Sequence, residues 1–362
     1  MTPPDWTLLL DPPPFPALGY RQIADRLAGL FGTKADIVFV QAEAVVALEA
    51  VAASLARPGL PVLNIVTSPY GVMVGGWLRR AGAEVIELTA APAAPIEVEA
   101  VAAALDRHPR TALLALVHAE SASGILNPLP EILALARPRG IVTVVDAVAS
   151  AGGHALDIDA LGIDVAVIGP QKALGGPAGL SAISVSERAW ALAERPDAPT
   201  GSILSLRDLK QGWLDTGRGP LPGMPAPLEW HALAAALDRI ERGGLTSVIA
   251  RHALAAVATR RAVQRLGLKL WPERGAPSNL VTAAVLPAGM DRAALLAALP
   301  VEVEITACIG PGTERLIRLN HTGPRAAPAA VARGIEALGV ELRGAGLPAD
   351  IEAALAGLAP HA

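Results

Sequence analysis

The chain has 362 residues and a mass of 37.0 kDa, enough for two domains of roughly 150 residues and too little for four. Hydrophobic residues supply 52% and charged residues 18%, evenly spread, so the chain encodes neither a long apolar membrane span nor a disordered polymer. Thirty Lys+Arg against 34 Asp+Glu give a net charge of -4, with no basic stripe to track a nucleic-acid backbone.

The single cysteine, Cys308, can form no internal disulfide and no thiolate cluster for zinc. The start, Met1-Thr-Pro-Pro-Asp5, lacks the basic and apolar parts of a secretory signal, so the expectation is a soluble cytoplasmic protein. Residues 1–16 hold Pro3, Pro4, Pro12, Pro13, Pro14 and Pro16 and read as an extended arm. Strands and helices then alternate. Strands are expected at 37–40, 61–66, 84–88, 111–118 and 141–146, with helices at 44–56, 70–81, 98–107 and 130–137 between them. Short strands without in/out alternation describe a parallel sheet covered on both faces, whose ligand lies beyond the strands' carboxyl ends. Strands at 165–168 and 180–185, joined by a short Gly/Pro loop, suggest an antiparallel addition. After a Pro/Gly-rich stretch come long helices at 228–242 and 246–266. Strands at 281–286 and 316–319 and helices at 292–299 and 327–338 then suit a small α/β domain. The expected division is an arm (1–16), a large domain (17–242), a small domain (243–345) and a tail (346–362).

Only four lysines occur, and Lys172 lies in the glycine-rich loop Gly169-Pro-Gln-Lys-Ala-Leu-Gly-Gly176 directly after a strand. A partly desolvated amine there is a nucleophile toward a carbonyl. Asp146 ends the strand before it, where an apolar run makes a carboxylate costly unless it meets a cation. Alone, Lys172 reads as a surface lysine, and Asp146 reads equally as a helix cap or a ligand. Together, at the ends of successive strands, they can hold a pyridoxal ring, the acid at its nitrogen and the amine at its aldehyde. His108, His154, His231 and His252 read as surface or helix residues, with no spacing that suggests a metal.

Three ordered segments carry a resemblance: His118-Ala-Glu-Ser-Ala-Ser-Gly-Ile-Leu-Asn-Pro-Leu129, Val144-Val-Asp-Ala-Val-Ala-Ser-Ala-Gly-Gly153 and Gly162 through Leu180 around Lys172. They resemble the class V aminotransferases of pyridoxal-phosphate fold type I, nearest the alanine–glyoxylate and serine–glyoxylate group. The resemblance implies a mainly parallel seven-stranded sheet, a small C-terminal α/β domain, and a homodimer or homotetramer. It implies that Lys172 forms a Schiff base with the aldehyde and that Asp146 pairs with the ring nitrogen. Val148 is expected beneath the ring, Ser121 and Gln171 beside it, and Tyr70 stacked on it, while Arg318 clamps the substrate carboxylate.

One corner departs from that pattern. Relatives that hold the phosphate place a turn rich in glycine and hydroxyls after the first strand, where amides and a helix N-terminus receive the dianion. Here the turn reads Val40-Gln-Ala-Glu-Ala-Val45, and Glu43 brings a negative charge. At 4 Å and an effective dielectric of about 20, each like-charge pair costs on the order of 4 kcal/mol, while the helix dipole returns about 1. Met224 stands where the relatives' partner subunit offers threonine to the phosphate. Leu63 through Gly71, Leu266 through Trp271 and Arg318 through Pro324 resemble the subgroup that transfers the amino group of free pyridoxamine to pyruvate. In that subgroup a glutamate at this position receives the ring's hydroxymethyl group. The chain departs from it in a shorter amino-terminal region, in Ile309 for an arginine and in Gln171 for an asparagine. The expected ligand is therefore pyridoxal as substrate and product, with pyridoxal 5'-phosphate as the alternative. A phosphate-bound alanine/serine–glyoxylate aminotransferase and a non-catalytic homologue are the competing readings. A cysteine desulfurase fits less well, because Tyr70 is not the histidine of that group.

Overall fold

The computed structural model describes residues 9–272 and 277–358, so Pro3 and Pro4 of the expected arm lie outside the described residues. Eleven strands are β1 Asp36–Val40, β2 Pro61–Val66, β3 Glu84–Thr89, β4 Leu113–Val117, β5 Val142–Asp146, β6 Val165–Ile168, β7 Ser181–Val185, β8 Lys269–Trp271, β9 Val281–Val285, β10 Ile305–Ala307 and β11 Leu316–Asn320. The helices are α1 Ala17–Leu30, α2 Ala44–Leu55, α3 Pro69–Arg80, α4 Val98–Arg107, α5 Leu129–Ala136, α6 Ile158–Leu161, α7 Glu187–Ala193, α8 Leu206–Leu209, α9 Pro227–Gly243, α10 Leu245–Arg265, α11 Arg292–Ala298, α12 Pro328–Gly344 and α13 Ile351–Ala356.

The first seven strands form one sheet in the order β1-β7-β6-β5-β4-β2-β3. β7 alone runs against the others and pairs antiparallel with both β1 and β6. The short connection after β6 does make an antiparallel strand, but it also inserts that strand between the first and sixth. β4 through β7 are buried along their whole length, as strands covered by helices on both faces must be. β3 is half-exposed because it is the edge. The second sheet, β10-β11-β9-β8, is antiparallel throughout. Its core of Val263, Leu266, Ile317, Ile335 and Leu338 is separate from the two clusters on the faces of the large sheet.

Three differences from the sequence reading have physical reasons. Helix α1 was not among the expected elements, yet Tyr20, Ile23, Ala24 and Leu27 recur at helical spacing and face the core. β8 and β10 are three residues long, too short for any periodicity. The segment after residue 345, expected as a tail, carries α13, whose Ile351 and Ala354 are buried in the small sheet's core.

The arm's last residues join the large body through aromatic packing. Trp230 of α9 is fully buried, with ring centroids 4.7 Å from Phe39 and 4.8 Å from Tyr20, both edge-on, and 5.8 Å from Phe15. It thus binds α9, α1 and β1 into one unit. Trp230→Ala is expected to cost about 3–5 kcal/mol of stability, measured as a lower urea midpoint at unchanged slope.

Candidate active site

Five strands of the large sheet deliver side chains to one place. β1 leads to Glu43, β2 to Tyr70, β4 to Ser121, β5 ends in Asp146, and β6 leads to Lys172. All lie beyond the carboxyl ends, where an open α/β sheet has no further backbone pairing to satisfy. Glu43, Tyr70, Ser121, Asp146, Val148 and Lys172 line a single cleft of about 350 Å3, counted out to solvent. Gln171 joins it by donating from Nε2 to Glu43 Oε1 at 2.8 Å. Arg318 arrives from β11 of the small sheet, donating from Nη1 to the Ser121 carbonyl and from Nε to Thr306 Oγ1 at 2.9 Å.

The loop bearing Lys172 can lie this close only because residue 169 is glycine. A Cβ there would stand 2.6 Å from both Val148 Cγ1 and Gln171 Oε1. On its other side the loop meets the small sheet. Gly323, in the left-handed region at φ 56°, packs so that a Cβ would stand 3.1 Å from the Lys172 carbonyl and from Gly175 Cα.

Asp146 is 7% exposed, and its Oδ1 accepts from the Val148 amide at 2.9 Å. Burial raises its pKa to about 6, with Glu43 pushing the same way, while the Val148 hydrogen bond and Lys172 pull it down. Among the described residues no cation pairs with it. The Lys172 amine likewise makes no hydrogen bond or ion pair among the described residues. Burial and then the Arg318 charge lower its pKa; Glu43, Asp146 and Glu304 oppose the shift. A buried acid and a half-buried amine therefore face one cavity, with no ion pair between them among the described residues.

Glu43 is the N-cap of α2, and its Oε2 accepts from the Val45 amide at 2.8 Å. The amide that a helix terminus offers an anion is thus spent on the protein's own carboxylate. Cys308 is buried, and burial pushes its thiol up to about 11, so it is no nucleophile. Ile309 is 43% exposed in the loop after β10, whose Gly310 packs against Pro69. Met224 is 97% exposed.

The Aminotransferase class-V family matches residues 17–311. The chain belongs to the class V aminotransferases. It is similar to pyridoxamine–pyruvate transaminase of Mesorhizobium japonicum, 35% identical over 97% of this chain and 91% of that protein. The crystal structure of pyridoxamine-pyruvate aminotransferase from Mesorhizobium loti superposes with a TM-score of 0.88 at 34% identity, covering 96% of this chain and 90% of that one. Alanine–glyoxylate aminotransferase of Callithrix jacchus is 31% identical over 76% of this chain and 68% of its own length.

Class V aminotransferases use pyridoxal phosphate, and the residues present fit one half of it. A buried acid without a cation suits a protonated ring nitrogen, and a half-buried amine without a partner among the described residues suits an aldehyde. The phosphate half does not fit, because a carboxylate already occupies the helix N-terminus where the dianion's donors would be.

Two groups of residues escape the sequence reading. Glu120, three residues beyond the end of β4, is fully buried; its signal in the sequence is a charge inside His118-Ala-Glu-Ser. The histidines are the second: of those expected at surface or helix positions, His252 is indeed on helix α10 but turned into the core, while His154 is half-buried in the loop after β5 rather than on a helix. His252 is fully buried, donating from Nδ1 to the Val248 carbonyl and accepting at Nε2 from the Gly323 amide at 2.9 Å. His154 Nε2 accepts from the Asn279 amide at 3.1 Å. His118 and His321 are buried as well.

Burial lowers the pKa of all four histidines, to about 3 for His118 and His321 and about 4 for His154. A depressed histidine stabilises above its unfolded pKa, and that stability is lost as pH falls below about 6.5. Asp146 and Glu120, raised to about 6 and about 7, act in the opposite sense and stabilise as pH falls. The three histidines lowered to about 3 or 4 outweigh the two carboxyls by about one proton near pH 5, and His252 acts in the same direction as those histidines. The thermal midpoint of the ligand-free protein is expected to fall steadily from pH 6.5 to 5. A midpoint that rises across that interval would show the carboxyls to dominate.

Proposed function

We propose that this aminotransferase moves the amino group of free pyridoxamine to pyruvate, giving pyridoxal and L-alanine. The observation that carries the proposal is the corner at Glu43. There the carboxylate takes the Val45 amide and the Gln171 amide group, so the corner presents acceptor oxygens and negative charge. A hydroxymethyl group can donate to those oxygens, whereas a phosphate is itself only an acceptor and repels them. Similarity to pyridoxamine–pyruvate transaminase over nearly the whole chain supports the same reading.

A bound pyridine ring supplies the electron sink for the transfer. Asp146 keeps the proton on the ring nitrogen, which is why its carboxylate must be ionised when the ligand is present and can be neutral when it is not. Tyr70 covers one ring face and Val148 the other, and Ser121 stands beside it. Arg318 holds the carboxylate of pyruvate or alanine as a guanidinium fork, its own orientation fixed by Thr306 and the Ser121 carbonyl. Burial and the Arg318 charge hold the Lys172 amine below the ordinary lysine range, and Nζ carries the proton between the C4′ carbon of the ring substrate and the alanine α-carbon as general base and acid. The loss of an arginine at Ile309 leaves Arg318 as the principal cation for that carboxylate.

The reading includes a cytoplasmic homodimer. Fold type I enzymes complete their sites across a two-fold interface, and Leu10, Ile203 and Met224, each more than four-fifths exposed, offer apolar surface for a second copy. Among the described residues no helix is long and apolar enough to cross a membrane.

Titrating the apoprotein separately with pyridoxal and with its phosphate, and following the visible imine band, is the direct test. Pyridoxal is expected to bind more tightly, and tighter binding of the phosphate would leave an alanine–glyoxylate type enzyme as the better reading. Glu43→Ser should shift the preference toward the phosphate by about a hundred-fold or more, since it removes a like-charge term of roughly 4 kcal/mol. Lys172→Ala should abolish both the imine band and turnover of pyridoxamine with pyruvate.

A further inference from the structure

Glu120 has no part in that scheme, yet its setting is unusual for a carboxyl group. It is 0% exposed. One oxygen, Oε1, accepts a short hydrogen bond from Thr67 Oγ1; the other, Oε2, has no hydrogen-bond partner among the described residues. The Ser68 hydroxyl is near enough to act on the carboxyl as well. Thr67 Oγ1 accepts in turn from Asn127 Nδ2 at 2.8 Å, and the same amide group donates to the Val117 carbonyl. A buried acid of this kind costs several kcal/mol unless it does something that an apolar residue could not.

What it joins gives the reason. Thr67 and Ser68 form the turn between β2 and α3, and Ser68 caps α3 by accepting the Tyr70 amide at 3.2 Å. Glu120 itself sits in the loop after β4, closed by its amide to the Ile125 carbonyl and by its carbonyl from the Gly124 amide, both at 2.8 Å. The next residue is Ser121, whose carbonyl receives Arg318. We propose that Glu120 is a positioning residue for the amino transfer, the buried post that locks the turn presenting Tyr70 to the loop presenting Ser121 and anchoring Arg318.

Charge adds to this. The groups acting on Glu120 are Thr67 and Ser68 from the β2–α3 turn and Asp146 from β5; Asp146 in turn feels Lys172 and Glu43. Burial, with Asp146 pushing the same way, raises the Glu120 carboxyl to about 7. Below that pH it is neutral, and Asp146 is left as the carboxylate available to a ring cation. Above it, Glu120 ionises, opposes the Asp146 charge and raises the Asp146 pKa.

The inference rests on the ring-binding reading of the cleft and is independent of whether the phosphate is present. The experiment therefore titrates the wild type, Glu120→Gln and Glu120→Ala with both pyridoxal and pyridoxal phosphate across pH 5–9. It follows the visible band of whichever aldehyde binds, alongside KM for amine and oxo acid. Glu120→Gln keeps an acceptor for Thr67 but cannot ionise. Its inflection near pH 7 should vanish, and the Asp146 inflection should move to lower pH. Glu120→Ala removes the post, and both KM values should rise about ten-fold, as for loss of a hydrogen bond to a buried polar group. A wild-type pH profile in Glu120→Gln, or unchanged KM values with only a lower thermal midpoint in Glu120→Ala, would overturn the proposal. If Glu120→Ala does not fold, the Glu120→Gln profile decides alone.

Discussion

Everything in the cleft depends on holding a buried acid and a half-buried amine close together without letting them form an ion pair. Asp146 and Lys172 follow neighbouring parallel strands, paired so that Asp146 lies beside Val167. The Gly/Pro loop then carries the amine onward, and the described residues form no ion pair between them. Each group bears a desolvation cost that an ion pair would have relieved. A ligand bringing a cation for one and an electrophile for the other relieves both at once, so the cost of folding the site becomes affinity for the ring. The apolar strands beneath can carry such a burden because they are buried from end to end.

Glu43 sets the charge of one corner of the cleft. Helix α2 is almost wholly apolar, and its N-terminus would be an anion site in a chain with glycine or serine at the cap. A glutamate satisfies the same amide from within and reverses the sign of the corner. Gln171 adds a tie: its side chain reaches Glu43 from the residue before Lys172, joining the Glu43 corner to the Lys172 loop.

The two sheets meet where the chemistry is. Arg318 reaches from the small sheet to the Ser121 carbonyl, and Gly323 packs on the backbone of the Lys172 loop. His252 holds Gly323 in place through an unprotonated Nε2. Burial lowers the His252 pKa, so the contact between Gly323 and the Lys172 loop persists at neutral pH and weakens in acid.

Much of this was legible in the residues themselves. Alternating short apolar strands and helices specify a parallel sheet, because strands buried on both faces leave no polar positions. Asp146 and Lys172 declare themselves because charge at the end of such strands is costly, and Glu43 because it stands where an anion site would be. Other features were decided only by tertiary structure. Helix α1 needed Trp230, far along the chain, to bury its face. β7 needed both its neighbours before its place in the strand order existed. Glu120 and His252 look like ordinary surface-type residues in sequence, since burial depends on what folds over a group and no local pattern records it.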